Sequence, residues 1–136
     1  IATDRCITTD GLRQEHPKWR RLKDGRLVFG AGNTWMAAWL TERLDLGKLF
    51  EDWPAHQRKE EETALLIIAD QVTGEVFELG TEPVLTRILT PYCWGAGAHI
   101  ARGALCMGAD ACQAVEAACR HCRYCGFGAD VFSLIP

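Results

Sequence analysis

Apolar and polar positions along the chain fall into short runs, and most runs are closed by a turn signal. Ile1–Arg5 reads as a short strand, with a turn at Asp10-Gly11 after it. Arg20–Leu22 and Arg26–Phe29 flank Asp24-Gly25, the strongest short-range hairpin cue in the sequence. Gly30-Ala31-Gly32 then breaks the second of these strands, and Asn33 or Thr34 is suited to cap a helix. That helix runs to about Leu44, because Trp35, Trp39, Leu40 and Leu44 recur at three- and four-residue spacing. Its tryptophans belong to the core or to an interface. Gly47 to Lys59, which contains Pro54, reads as a connector, and Lys59-Glu60-Glu61-Glu62 as a solvated charge run.

The second half is more apolar. Thr63–Ala69 is a continuous Leu- and Ile-rich run, the pattern of a strand buried on both faces. Asp70–Gly74 turns the chain, Glu75–Leu79 returns it as a strand, and Pro83 to Trp94 supplies one or two short extended pieces. Gly95-Ala96-Gly97 opens a second helix from Ala98 to Met107, ended by Gly108. Asp110 with Gln113 has the spacing of a capping box for a third helix. Alanines at 98, 101, 104, 111, 114, 117 and 118 let these two helices approach closely or lie flat on a sheet. Gly128–Leu134 closes the chain as a strand, and no internal repeat or low-complexity segment interrupts it. Strands, helix, strands, two helices, strand is the order of a layered α+β domain built from antiparallel hairpins.

Composition narrows the picture. With 136 residues and 48% hydrophobic content, one domain with a single core is expected. A net charge of -3 and a pI near 5.8 give no electrostatic case for nucleic acid or an anionic membrane. The longest apolar run, Ala64 to Ala69, is far short of the about 20 residues that span a bilayer. No basic segment followed by a long apolar core opens the chain, so no signal peptide is expected. The first residue is not Met and already has strand character, which leads us to expect residues ahead of it. Seven cysteines, five of them between Cys106 and Cys125, make a poor disulfide framework and point to a reducing, cytoplasmic compartment.

Cys119, Cys122 and Cys125 form C-x-x-C-x-x-C with His121 between them, a spacing that suits an iron–sulfur or zinc centre. Cys112, Cys106 or His121 could supply a fourth ligand. No second C-x-x-C pair exists, however, Cys119 and Cys122 lie on the last turn of an alanine-faced helix, and Cys93, Cys106 and Cys112 read as small buried hydrophobes. A small cysteine-rich metal-binding domain is therefore a second reading, of a different class.

The order of several motifs carries a more specific likeness. Ile1-Ala2-Thr3-Asp4-Arg5 is followed by Lys18-x-Arg20-Arg21-Leu22 and by Phe29-Gly30-Ala31-Gly32-Asn33-Thr34. Ala64-Leu65-Leu66-Ile67-Ile68-Ala69-Asp70 comes next, then Trp94-Gly95-Ala96-Gly97 leading into Ala101-Arg102-Gly103-Ala104-Leu105. This succession, which spans nearly the whole chain, resembles the proteasome β-subunit family, and within it the HslV-type peptidases and their small bacterial or phage-type relatives. The resemblance implies a four-layer α-β-β-α sandwich of antiparallel sheets, the N-terminal-nucleophile hydrolase fold. It implies a threonine peptidase whose nucleophile is the first residue of the mature chain and whose own α-amino group is the base. It further implies rings of identical subunits around a chamber, unfolded polypeptide as substrate, an ATP-dependent unfoldase as a further partner, and no required cofactor.

Carried onto this sequence, the resemblance makes residues 1–136 one domain of this type without its first strand and nucleophile, which it puts about a dozen residues ahead of Ile1. Thr3, Thr8 and Thr9 cannot substitute, since none is N-terminal. Asp4 matches the aspartate beside the nucleophile, and Lys18 the lysine whose ammonium lowers the pKa of the neighbouring amine and hydroxyl. Gly32 matches the glycine whose N–H forms the oxyanion hole, and Thr8 a position whose backbone pairs with extended substrate. The backbone carbonyls of Cys119, Cys122 and Cys125 match the positions that hold a sodium or similar cation, with oxygen ligands as hard cations prefer. Two departures stand out. Ala96 replaces the serine usual in a glycine-serine-glycine step, and Cys122–Gly126 replaces a stretch that usually carries Ser or Thr near Cys125. They make a catalytically inactive structural relative the alternative within the family. Without the resemblance, Asp4 and Lys18 would read as a surface ion pair of little worth, and Gly30 and Gly32 as residues that shape a strand end.

Overall fold

The computed structural model describes residues 1–9, 11–48, 64–80, 84–89 and 91–134. In chain order its elements are β1 (Ala2–Asp4), β2 (Cys6–Thr9), β3 (Leu12–Glu15), β4 (Trp19–Arg21), β5 (Leu27–Gly32), α1 (Thr34–Asp45), β6 (Ala64–Ala69), β7 (Val76–Leu79), β8 (Leu85–Arg87), α2 (Ala98–Cys106), α3 (Ala111–His121) and β9 (Ala129–Val131). They divide into two units, one of residues 1–18 and 91–133 and one of residues 19–90 with 134–136.

The second unit is built on a five-stranded antiparallel sheet in sequence order, β4 to β8. Its first turn is the expected hairpin at Asp24-Gly25: Gly25 takes φ +93, and the Asp24 carboxylate accepts the Arg26 N–H at 3.0 Å. β6 lies in the middle of the sheet with Leu66, Ile67, Ile68 and Ala69 all buried, as a run without polar alternation requires. Met36 and Leu40 of α1 complete a core with Leu22, Val28, Leu66, Ile68 and Leu79. Asn33 is the helix cap, its side chain accepting the Met36 N–H at 2.9 Å.

One expectation fails here. Gly30-Ala31-Gly32 does not break the strand; β5 continues through it, with Gly30 paired to Leu66, Ala31 to Leu65 and Gly32 to Ala64. The reason is packing. A Cβ on Gly30 would stand 3.1 Å from the Cβ of Ala37, so the small residues admit α1 against the sheet. The two tryptophans of α1 also part company. Trp39 packs against the core, whereas Trp35 is 67% exposed and is not a core residue. The charge run 59–62 and most of the connector before it lie outside the described residues. β8 is the extended piece described between Pro83 and Trp94.

In the first unit, β1 pairs antiparallel with β9, Ala2 against Val131 and Asp4 against Ala129, so the two ends of the chain share a ladder. β2 and β3 form a hairpin around Gly11, which takes φ +78. The turn was legible, but its strands were not, because β3 (Leu-Arg-Gln-Glu) is exposed at every position and has no apolar face. The capping box on α3 is present in both directions: Asp110 Oδ1 accepts the Gln113 N–H at 2.8 Å, and Gln113 Oε1 accepts the Asp110 N–H at 3.0 Å. Ala101 of α2 and Ala114 and Ala118 of α3 bury against one another together with Cys125. Gly97, which caps α2, owes its identity to this core. A Cβ there would lie 2.7 Å from the Cys125 sulfur and 2.8 Å from the Ala118 Cβ. Among the described residues no helix is long and apolar enough to cross a membrane.

Candidate active site

Asp4 stands at the end of β1, where the strand leaves its ladder with β9. Its Oδ1 accepts from Lys18 Nζ at 2.7 Å. Its Oδ2 accepts two backbone N–H groups, Cys6 at 3.2 Å and Gly126 at 3.1 Å. The carboxylate is thus held from three directions, by the start of β2, by the loop after α3 and by the lysine. Side-chain exposures of 12% for Asp4 and 23% for Lys18 separate this pair from a surface salt bridge. Charge-assisted hydrogen bonds of this length, partly withdrawn from water, are among the stronger ones. The result is a lysine ammonium fixed in place. Such a centre lowers the pKa of any amine or hydroxyl set beside it.

Neighbouring contacts brace the pair. The Arg5 N–H donates to the Gly126 carbonyl at 3.1 Å, and the His16 N–H to the Arg5 carbonyl at 2.7 Å, which ties the segment leading to Lys18 back to β1. The Arg5 guanidinium binds Asp130 through Nε at 2.9 Å and Nη2 at 2.5 Å, and Glu15 through Nη1 at 3.3 Å. Sequence reasoning did not single out Arg5 or Gly126. Arg5 had one signal, its place next to Asp4; Gly126 contributes a backbone N–H, which leaves no mark on residue type.

Of the other residues expected at the site, Thr8 lies on β2, exposed and paired with Arg13 of β3. Ala96 is exposed in the turn before α2, and its methyl group offers no hydrogen-bond donor. Gly32 belongs to the second unit, where it ends β5 with φ +86, a conformation for which glycine is the default.

Among the described residues no group of three or more His, Cys, Asp and Glu side chains could hold a metal ion. Cys119 sits in the last turn of α3, Cys122 caps the helix, and Cys125 is buried beyond it. Burial, then the nearby Asp4 carboxylate, pushes the Cys119 thiol up. Burial, the hydrogen bond with Cys122 and the Asp4 carboxylate push Cys125 up to about 12. Both are therefore protonated thiols at neutral pH. The reading as a zinc or iron–sulfur domain finds no support in this arrangement, and Cys106, read from the sequence as a small buried hydrophobe, is exposed, with Cys93 and Cys112 only partly buried. Two of the three backbone carbonyls already accept hydrogen bonds: Cys122 O from the Cys125 N–H at 3.1 Å, and Cys125 O from Arg13 Nη2 at 2.5 Å.

No family model matches the sequence, and no curated protein matches it either. Solved structures do. HslV of Trypanosoma brucei superposes with a TM-score of 0.68 at 21% identity, covering 95% of this chain and 88% of that one. BPH of Thiobacillus denitrificans in complex with epoxomicin gives 0.72 at 18% identity, covering 99% and 92%. A second structure of Thiobacillus denitrificans BPH gives 0.70 at 18%, with the same coverage. The chain thus has the α+β, antiparallel-sheet fold of the N-terminal-nucleophile hydrolases, and its resemblance to the proteasome β-subunit and HslV group holds at the level of fold.

Proposed function

We propose that this chain is the body of a subunit of a self-compartmentalising threonine peptidase, assembled in rings and hydrolysing peptide bonds in unfolded polypeptides. The observation that carries the proposal is the Asp4–Lys18 pair, closed at 2.7 Å and anchored by two backbone N–H groups, in a chain with the fold of HslV. In this reading Lys18 supplies the positive potential that lowers the pKa of a threonine α-amine and hydroxyl, and Asp4 orients it. The nucleophile comes from residues ahead of Ile1, where the resemblance puts it. Gly32 supplies the oxyanion N–H, and the backbone at Thr8 pairs with the substrate. The cytoplasm is the matching compartment, and an ATP-dependent unfoldase the matching partner for folded substrates.

The test uses the full-length protein processed so that a threonine is residue one. Release of a fluorophore from a peptide amide is expected, blocked by epoxomicin and reduced about 100-fold or more by Lys18→Ala. Ala96 favours a second reading, an inactive relative that keeps fold and ring. A full-length protein that assembles but neither cleaves the peptide nor binds epoxomicin would establish that reading instead.

A further inference from the structure

Arg13 lies on the exposed strand β3, and its guanidinium is fixed by three contacts on its inner side. Its Nη2 donates to the Cys125 carbonyl at 2.5 Å, and its Nε to the buried Cys6 sulfur at 3.4 Å. Its Cζ lies 5.5 Å from the centroid of the Phe127 ring, within the range of a cation–π contact. A Cβ at Gly126 would fall on Nη2, so only glycine at that position leaves room for the group. Phe127 itself holds φ 62 and is the one non-glycine residue with positive φ among those described.

The same loop is where the resemblance sets a monovalent cation, on the carbonyls of Cys119, Cys122 and Cys125, and these carbonyls do not fit one. An ion bound to the Cys125 oxygen at the about 2.5 Å of a hard cation would share that oxygen with the guanidinium, leaving two positive charges no more than about 5 Å apart. The Cys122 oxygen faces the Cys125 N–H, a donor that also disfavours a cation.

We propose that Arg13 takes the place of that cation, and that by fixing Cys125 and Gly126 it acts as a positioning residue for Asp4 and Lys18. The path is short. Arg13 holds the Cys125 carbonyl, the next residue, Gly126, gives its N–H to Asp4 Oδ2, and Asp4 Oδ1 holds Lys18. Only the significance of the Asp4–Lys18 pair rests on the peptidase reading; the replacement of a cation by an arginine stands on these contacts.

The experiment therefore reads stability rather than hydrolysis. The full chain and its Arg13→Ala variant are melted in sodium, potassium and tetramethylammonium chloride at equal ionic strength. The unsubstituted protein is expected to melt at one temperature in all three salts. Arg13→Ala is expected to melt several degrees lower in tetramethylammonium, which is too large for a carbonyl pocket, and to recover part of that loss in sodium or potassium. Gly126→Ala, which displaces the guanidinium but keeps every charge, is expected to behave in the same way and serves if Arg13→Ala does not fold. Selective stabilisation of the unsubstituted protein by sodium or potassium would overturn the proposal. So would variants that melt like the parent, or that lose stability without any response to the small cations. None of these outcomes depends on whether the protein cleaves peptides.

Discussion

Asp4 meets two backbone donors on one oxygen and an ammonium on the other, so its charge and its shape contribute separately. Asp4→Asn keeps the shape but turns one oxygen into a donor that must face either Lys18 or the two N–H groups. We expect that variant to lose about 1–3 kcal/mol of stability in denaturant titration, the cost of leaving a partly buried polar group mismatched. Lys18→Ala should cost less in stability, because Asp4 keeps its backbone donors, while on the proposed function it lowers peptide hydrolysis far more. Equal stability losses in the two variants would argue that the pair is only structural. Cys125 gives a pH prediction with a definite sign. Its thiol is raised from an ordinary 9.0 to about 12, first by burial, so between those values the unfolded chain has lost a proton that the folded chain keeps. The contribution is complete below pH 9 and is lost as pH rises toward 12. Melting temperature should fall across that window, and less steeply in Cys125→Ala; parallel slopes would refute the assignment. Little of this was legible residue by residue. Asp4 and Lys18 are 14 positions apart with no periodic relation, and they stood out only through the resemblance. The Gly126 N–H that completes the site could not stand out at all.

Elements were more readable where a local rule and the packing agreed. The Asp24-Gly25 hairpin, the buried β6 run and the Asp110–Gln113 box each combine a backbone requirement with a matching residue, and all three form as expected. Asp110→Ala should therefore cost about 1 kcal/mol, measurable as a lowered melting temperature with an unchanged fold by circular dichroism. Where glycine serves packing, the local rule misleads. Gly30 reads as a strand breaker, yet it sits in a continuous ladder because α1 crosses close above it. Gly97 is the sharper case, since its φ of -87 suits any residue and only the space toward Cys125 and Ala118 demands glycine. Gly97→Ala should destabilise by about 1–3 kcal/mol through overpacking. A neutral result would mean that α3 and the Cys125 loop shift without cost. The β2–β3 hairpin escaped notice for the opposite reason: its second strand has no buried face, so no hydrophobic pattern existed to read.

At the scale of the whole molecule, the order of elements carried more information than any single motif. It survives in structures only 18–21% identical, because a fold constrains where apolar runs and turns fall more tightly than it constrains residue identity. What that order leaves open is the role of the exposed apolar side chains. α1 separates two kinds of tryptophan. Trp39 packs on the core under the Arg43 guanidinium, 4.7 Å from its ring centroid, and is accounted for within the subunit. Trp35 is 67% exposed and lies one turn from it on the same helix. A large indole left in water contributes nothing to the subunit's own core, whereas at an interface a residue of this type is a frequent anchor. If the chain assembles in rings through this face, Trp35→Ala should shift the mass in light scattering from an assembly toward that of one subunit, while the stability of that subunit stays within about 0.5 kcal/mol of the parent's. An assembly of unchanged mass would place the interface elsewhere, and a parent protein of one subunit's mass would remove the ring from the proposal altogether.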